Sequence, residues 1–165
     1  MAFLVNFLDF KEQALKKKLS KDFQILLKKT QEFLSYGSVE VGLLFDDLPN
    51  DFTNKYGNTF SEGSIHAELA NRLSFFLKKS ISVVPRIYAD QLIYEDNRYL
   101  IDYGKNINKQ NITFYSGQNI VSKKISKSYL YKLSKIIPTK IIIWDNFYAN
   151  DYCPRRLFVG PLVGR

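Results

Sequence analysis

Two adjacent carboxylates, Asp46-Asp47, follow the apolar run Leu43-Leu44-Phe45 and precede Leu48-Pro49. Carboxylates this close repel, so one holds its proton to higher pH than the other. Such a pair can split into an ionised group and a general acid. Neighbouring strand residues point to opposite faces; both serve one site only if the backbone turns there, and Pro49 favours a turn. The plainer alternative is a capping carboxylate beside a solvated loop acid. A second concentration lies far along the chain. Trp144-Asp145-Asn146-Phe147-Tyr148-Ala149-Asn150-Asp151-Tyr152 holds the one tryptophan of the protein, and Arg156-Leu157-Phe158-Val159-Gly160-Pro161 comes soon after. A connecting segment needs no indole, amide, carboxylate or phenol to be a connection. Rings that cover apolar C–H faces, beside amides and carboxylates that take hydroxyl and N–H groups, are what a sugar site requires.

Other reactive side chains are weaker signals. Tyr88, just past Val83-Val84-Pro85, reads as a core or rim tyrosine when taken alone, and Arg86 and Asp90 can pair with each other. His66 reads as a helix-surface residue rather than a ligand. Cys153 beside Pro154 reads as packing rather than a nucleophile, because no histidine is placed to activate it. Asp145, Asn150 and Asp151 offer oxygens but lack the dense alternation and glycine of a calcium loop. One cysteine and one histidine leave no Cys- or His-built metal cluster and no internal disulfide. No metal and no cofactor is expected.

The elements that must position these groups follow from the hydrophobic period. Phe23, Leu26, Leu27, Phe33 and Leu34 have helical spacing, with Ser20 as cap and Gly37 as stop. Val39 to Phe45 reads as a buried strand. Ile65, Leu69, Leu73, Phe76 and Leu77 give a second helix, and Ile81 to Val84 a second strand closed by Pro85. Tyr99 to Ile107 is a short helix with a weak spot at Gly104, followed by a strand over Ile112 to Tyr115. Tyr129, Leu130, Leu133, Ile136 and Ile137 form a helix before Pro138, and Ile141 to Trp144 the fourth strand. Short continuous apolar strands alternating with helices describe a parallel sheet buried on both faces. Each strand ends in a polar or special cluster: Asp46-Asp47, Arg86-Ile87-Tyr88, Ser116-Gly117, and Asp145-Asn146 with Asn150-Asp151. Active sites of β/α folds form at those strand ends.

With 165 residues, 45% of them hydrophobic and 15% aromatic, the chain reads as one domain with a real core, not a disordered segment. It has no apolar run of transmembrane length, and Met1 to Leu8 lacks the basic start of a secretion signal. These features favour the cytoplasm. The net charge of +8 comes mainly from lysines. Without a nucleic-acid motif, Lys16-Lys17-Lys18, Lys28-Lys29, Lys78-Lys79 and Lys123-Lys124 read as solvated helix faces. A basic α/β nucleic-acid-binding protein is the alternative from another class, and salt-dependent binding would mark it.

Taken in order, Leu43-Leu44-Phe45-Asp46-Asp47, Pro85-Arg86-Ile87-Tyr88-Ala89-Asp90, Tyr115-Ser116-Gly117-Gln118-Asn119-Ile120-Val121-Ser122 and Trp144-Asp145-Asn146 with Asn150-Asp151-Tyr152 and Arg156 to Pro161 resemble glycoside hydrolase family 84. This is the family of β-N-acetylglucosaminidases that includes protein O-GlcNAcase and hyaluronidase-type toxins. The resemblance runs from about Asp22 to Arg165, with residues 1–19 poorly matched. It implies a (β/α)8 barrel and hydrolysis of terminal β-linked N-acetylglucosamine by a retaining, substrate-assisted mechanism through an oxazoline. By position, Asp46 matches the aspartate that orients the acetamido group, and Asp47 the general acid/base. Tyr88 matches a tyrosine that contacts the acetamido group, and Trp144 an aromatic wall of its pocket. Asn146 matches an amide at the reacting sugar, and Asp151 a carboxylate for its distal hydroxyls. The implied partner is an N-acetylglucosamine-bearing glycan or glycoprotein.

The resemblance makes Asp46-Asp47 the end of the fourth barrel strand and Trp144 the end of the seventh. A full barrel takes eight strands and about 250 residues. The expected fold is therefore a partial (β/α)8 barrel, strands four to seven with their helices, forming one partial catalytic domain over 1–165. An open half-barrel exposes sheet edges and an apolar inner face, so self-association, or pairing with a complementing N-terminal half, is expected. A catalytically inactive remnant or sugar-binding module is the alternative on the same scaffold.

Overall fold

The structure, a computed structural model, describes residues 20–49, 51–52, 61–94 and 97–146. The expectations for Asp151, for Cys153 and for residues 1–19 lie outside the described residues. Among the described residues four helices and four strands alternate: α1 (Lys21–Ser35), β1 (Gly42–Leu44), α2 (Glu62–Leu77), β2 (Ser82–Val84), α3 (Arg98–Asn106), β3 (Ile112–Tyr115), α4 (Lys127–Ile136) and β4 (Lys140–Ile143). A short 3-10 turn spans Asp90–Leu92 between β2 and α3. Serines start three of the helices: the hydroxyls of Ser20, Ser61 and Ser126 accept from the backbone N–H groups of Phe23, Ser64 and Tyr129. Each satisfies a donor that the first helical turn leaves orphaned.

The sheet order is β1-β2-β3-β4, and every pair is parallel. Spatial order equals chain order, with no reversal. Right-handed crossovers that always step the same way put all the helices on one face, and α2 packs on α3 and α3 on α4. A doubly wound sheet would reverse direction and place helices on both faces. The chain is α/β: consecutive β/α units of a (β/α)8 barrel, a partial barrel of four parallel strands.

The register assigns the two faces. Leu43, Val83, Thr113 and Ile141 are partners across the sheet and share a face. That face meets the helices: Thr113 Oγ1 lies 3.0 Å from Tyr103 Oη and accepts from Thr139 Oγ1 at 2.8 Å. The core fills this layer, with Leu69, Leu73, Val83, Leu100, Tyr103, Tyr115 and Ile137 all buried. The opposite face carries the partners Leu44 and Val84, and Phe114 and Ile142.

Three expectations change. The first strand covers only Gly42–Leu44 rather than Val39 to Phe45, and the fourth covers Lys140–Ile143 rather than Ile141 to Trp144. Burial on both faces holds for β2 but not for β1. Among the described residues β1 has one neighbour and no helix over its inner face, so Leu44 is 63% exposed. His66 is not on the helix surface. It is fully buried, because α2 is covered by Phe45, just past β1, and by Tyr99 from α3. The described lysine pairs at 28–29, 78–79 and 123–124 are exposed, as solvated faces would be. No helix among the described residues is long and apolar enough to cross a membrane.

Candidate functional site at the strand ends

Of the residues singled out by the sequence, Asp46, Asp47, Tyr88, Trp144 and Asn146 lie past the C-terminal ends of the strands. After β1 the chain turns at once: Leu48 N–H donates to Phe45 O at 3.1 Å, closing a tight turn around Asp46 and Asp47. A bend at this point is what use of both carboxylates by one site would require. Asp46 is half-buried and Asp47 exposed. Burial raises the Asp46 carboxyl above its ordinary value; its own backbone N–H pulls it down, and the Asp47 charge pushes it up. Asp46 is thus the member of the pair whose proton burial favours.

The ends of β2, β3 and β4 are knitted together. Trp144 N–H donates to Tyr115 O at 3.0 Å, which carries the ladder one residue past β4. This puts Trp144 on the inward series of Lys140 and Ile142, and its ring meets that of Tyr88 with centroids 5.4 Å apart and planes tilted by 47°. Ser116, at the end of β3, joins both neighbours. Its N–H donates to Tyr88 O at 2.7 Å, and its hydroxyl accepts from Asn146 Nδ2 at 3.1 Å. Gly117 adopts φ +106°, a conformation that favours glycine, and a Cβ there would lie 2.8 Å from Ser122 Oγ. The turn lets Gly117 O accept from Asp90 N–H at 3.0 Å, fixing the segment after Tyr88.

So the structure brings Tyr88, Trp144 and Asn146 into one cluster through Ser116. Asp46 and Asp47 occupy the same end of the sheet on the strand next to β2. Asp151 lies outside the described residues. Ser116 stood in the sequence only as a strand-end signal, and its role as the joint between Tyr88 and Asn146 comes from the structure.

The proposed Arg86–Asp90 pairing is corrected. Arg86 makes a two-pronged bond to Glu62, Nε to Oε1 and Nη2 to Oε2, both at 2.6 Å. Burial alone would lower the guanidinium, but the Glu62 carboxylate offsets this and holds it above its ordinary value. Asp90 instead accepts the hydroxyls of Tyr115 at 2.8 Å and Tyr129 at 2.9 Å. The separation is physical: Arg86 reaches back to the start of α2, whereas Asp90 sits in the 3-10 turn against β3 and α4.

A family model described as beta-N-acetylglucosaminidase matches residues 12–165. The chain belongs to the beta-N-acetylglucosaminidase family. It is 30% identical over 152 residues to the protein O-GlcNAcases of Rattus norvegicus and Mus musculus, covering 88% of this chain and 16% of each relative. The chain thus spans about a sixth of the length of those relatives. Among solved structures it is similar to a mutant of the Thermobaculum terrenum O-GlcNAc hydrolase, with TM-score 0.67 and 24% identity over 81% of this chain and 30% of that one. It is also similar to CpGH84B, with TM-score 0.66 and 24% identity over 79% of this chain and 23% of that one. These structural likenesses bear on the fold. For this beta-N-acetylglucosaminidase family member they match four parallel strands in barrel order.

Proposed function

We propose that the chain hydrolyses terminal β-linked N-acetylglucosamine by a retaining, substrate-assisted mechanism. The observation that carries this reading is the family match across residues 12–165, together with Asp46 and Asp47 in a tight turn at the end of the sheet that bears Tyr88, Trp144 and Asn146. The 2-acetamido carbonyl oxygen of the sugar attacks its own anomeric carbon. The bond to the leaving oxygen breaks, and Asp47 gives that oxygen its proton, leaving a cyclic oxazoline. Asp47, now ionised, takes a proton from water, which attacks the same carbon; the ring opens and the sugar leaves with its configuration retained. Asp46 accepts the acetamido N–H and stabilises the positive charge that builds on the oxazoline ring. Trp144 and Tyr88 wall the acetamido group, Asn146 binds at the reacting sugar, and Asp151 takes distal hydroxyls. The ligand is neutral and hydroxyl-rich, which suits oriented polar groups and an aromatic face.

The substrate class is an N-acetylglucosamine-bearing glycan or glycoprotein. The protein O-GlcNAcase relatives favour the protein-linked sugar. A single cysteine fits a reducing compartment such as the cytoplasm. The exposed Leu44 on the inner face of β1 favours association, with a second copy or with a complementing barrel half covering that face. The test is release of the aryl group from an aryl β-N-acetylglucosaminide. Turnover lost in Asp47→Asn supports the reading, and a well-folded parent chain that releases nothing sinks it.

A further inference from the structure

We propose that His66 is a positioning residue: a buried, uncharged imidazole that fastens the Asp46–Asp47 turn and the Tyr88 segment to one frame through Phe45, Tyr99 and Arg86. The inference rests on the functional reading for the importance of Asp46, but its geometry stands apart from that reading.

The residue just before Asp46 is Phe45, which is buried and lies flat on the His66 imidazole, with ring centroids 4.0 Å apart and planes 3° from parallel. On its edge, His66 Nδ1 lies 2.8 Å from Tyr99 Oη. The same Tyr99 oxygen accepts the backbone N–H of Arg86 at 2.9 Å, two residues before Tyr88. The Arg86 guanidinium lies over the Tyr99 ring, 5.2 Å from its centroid, and grips Glu62, which sits one helical turn before His66. Both strand-end segments therefore hang on one buried assembly drawn from α2 and α3.

The chemistry calls for an imidazole in its neutral form. Tyr99 Oη accepts from Arg86 N–H and meets His66 Nδ1; in the proposed arrangement the phenol donates to Nδ1 and the imidazole proton sits on Nε2, 4.0 Å from Glu62 Oε1. A phenyl ring in place of His66 would keep the stack on Phe45 but leave the phenol proton without its acceptor in a dry site. An imidazolium would lack the acceptor lone pair and would face Arg86. Among the described residues the titratable and charged groups around His66 are Glu62 from α2, Arg86 from the β2 exit and Tyr99 from α3, and the charge acting on Asp46 is Asp47. Burial, then the Arg86 charge, lowers the imidazole to about 3. Burial, then the Glu62 charge, drives the Tyr99 phenol well above its ordinary value.

His66 is the one histidine of the protein, so its imidazole is a single assignable signal. Long-range nitrogen–proton NMR of the parent chain should give an Nε2–H tautomer that holds from about pH 8 down to about pH 4.5. A midpoint near the ordinary 6.5 overturns the proposal. The second measurement is the carbon-detected carboxyl titration of Asp46 in Tyr99→Phe, which keeps the ring and removes the joint. If the assembly holds Asp46 in its half-buried place, loosening it lets water in, and the midpoint falls by at least about half a pH unit. An unchanged midpoint in a variant that still unfolds cooperatively overturns the proposal. Where Tyr99→Phe does not unfold cooperatively, Phe45→Leu, which removes only the stack, decides by the same criterion. Neither readout needs turnover, so an inactive chain with these spectra sinks the hydrolytic reading and leaves this one standing.

Discussion

Asp46 carries opposing demands. Burial makes its ionised form costly, yet the proposed role needs a carboxylate that accepts an N–H and faces developing positive charge. Its folded value lies above the unfolded one, so folding favours the protonated form. That contribution is full below the unfolded value and is lost as pH rises through the folded one. Asp46→Asn should therefore melt about 1–3 °C above the parent at pH 7 by calorimetry, the gap closing at acid pH, while turnover is abolished. A variant that melts lower at pH 7 would contradict the burial argument. The turn at the carboxylate pair was legible from Asp46-Asp47 and Pro49; that Asp46 is the half-buried member was not. The fate of His66 was less so: a lone histidine after Ile65 carries no label of burial. The signal was Glu62, Leu69 and Leu73, which share its helical face at spacings of four, three and seven, and a covered face on both flanks is a tertiary fact.

At the scale of elements, the helices are spaced by what they touch. Gly104 looked like a weak point in α3 from its low helix propensity. In the fold it is where α3 meets α4: a Cβ there would collide with Ile136 O and sit 2.9 Å from Ile136 C. The glycine is a contact, not a defect. Gly104→Ala, which propensity alone would call stabilising by about 1 kcal/mol, should instead cost about 1–3 kcal/mol in urea unfolding, because backbone must shift to admit the methyl. Helix boundaries were readable to within a residue or a few: Ser20, the cap read from the sequence, does start α1, while Ser61 and Ser126 cap two more helices that were placed by period alone. Strand boundaries were less so. Val39 and Val41 have the β-branched look of a strand, but pairing with β2 starts only at Gly42, and the ladder, not propensity, sets the end.

For the whole molecule, the monotone strand order decides the shape. The helices cover one face; on the other, among the described residues, Val84 is buried but Leu44 on β1 is 63% exposed. A barrel interior is a packed core rather than a pore, so this face calls for a partner layer. Sedimentation should find the chain associated at micromolar concentration, and Leu44→Lys should shift it toward monomer with little change in circular dichroism. A monodisperse parent monomer would count against this. The alternation of strand and helix was visible in the sequence, and so was the likeness to a barrel. What no pattern of residues could give was the inward and outward sorting, which depends on register: Leu43 faces the helices and Leu44 the open side only because they align with Val83 and Val84.

The position of Trp144 has one more consequence. It is the sole indole of the protein, and it stands at the candidate site with Tyr88 against it. Tryptophan dominates near-ultraviolet emission, so the intrinsic fluorescence of this chain comes from the candidate site rather than from an average over the core. The molecule carries its own optical reporter, unlabelled and unmutated, and quenching by a ligand reads occupancy there whether or not any bond is broken.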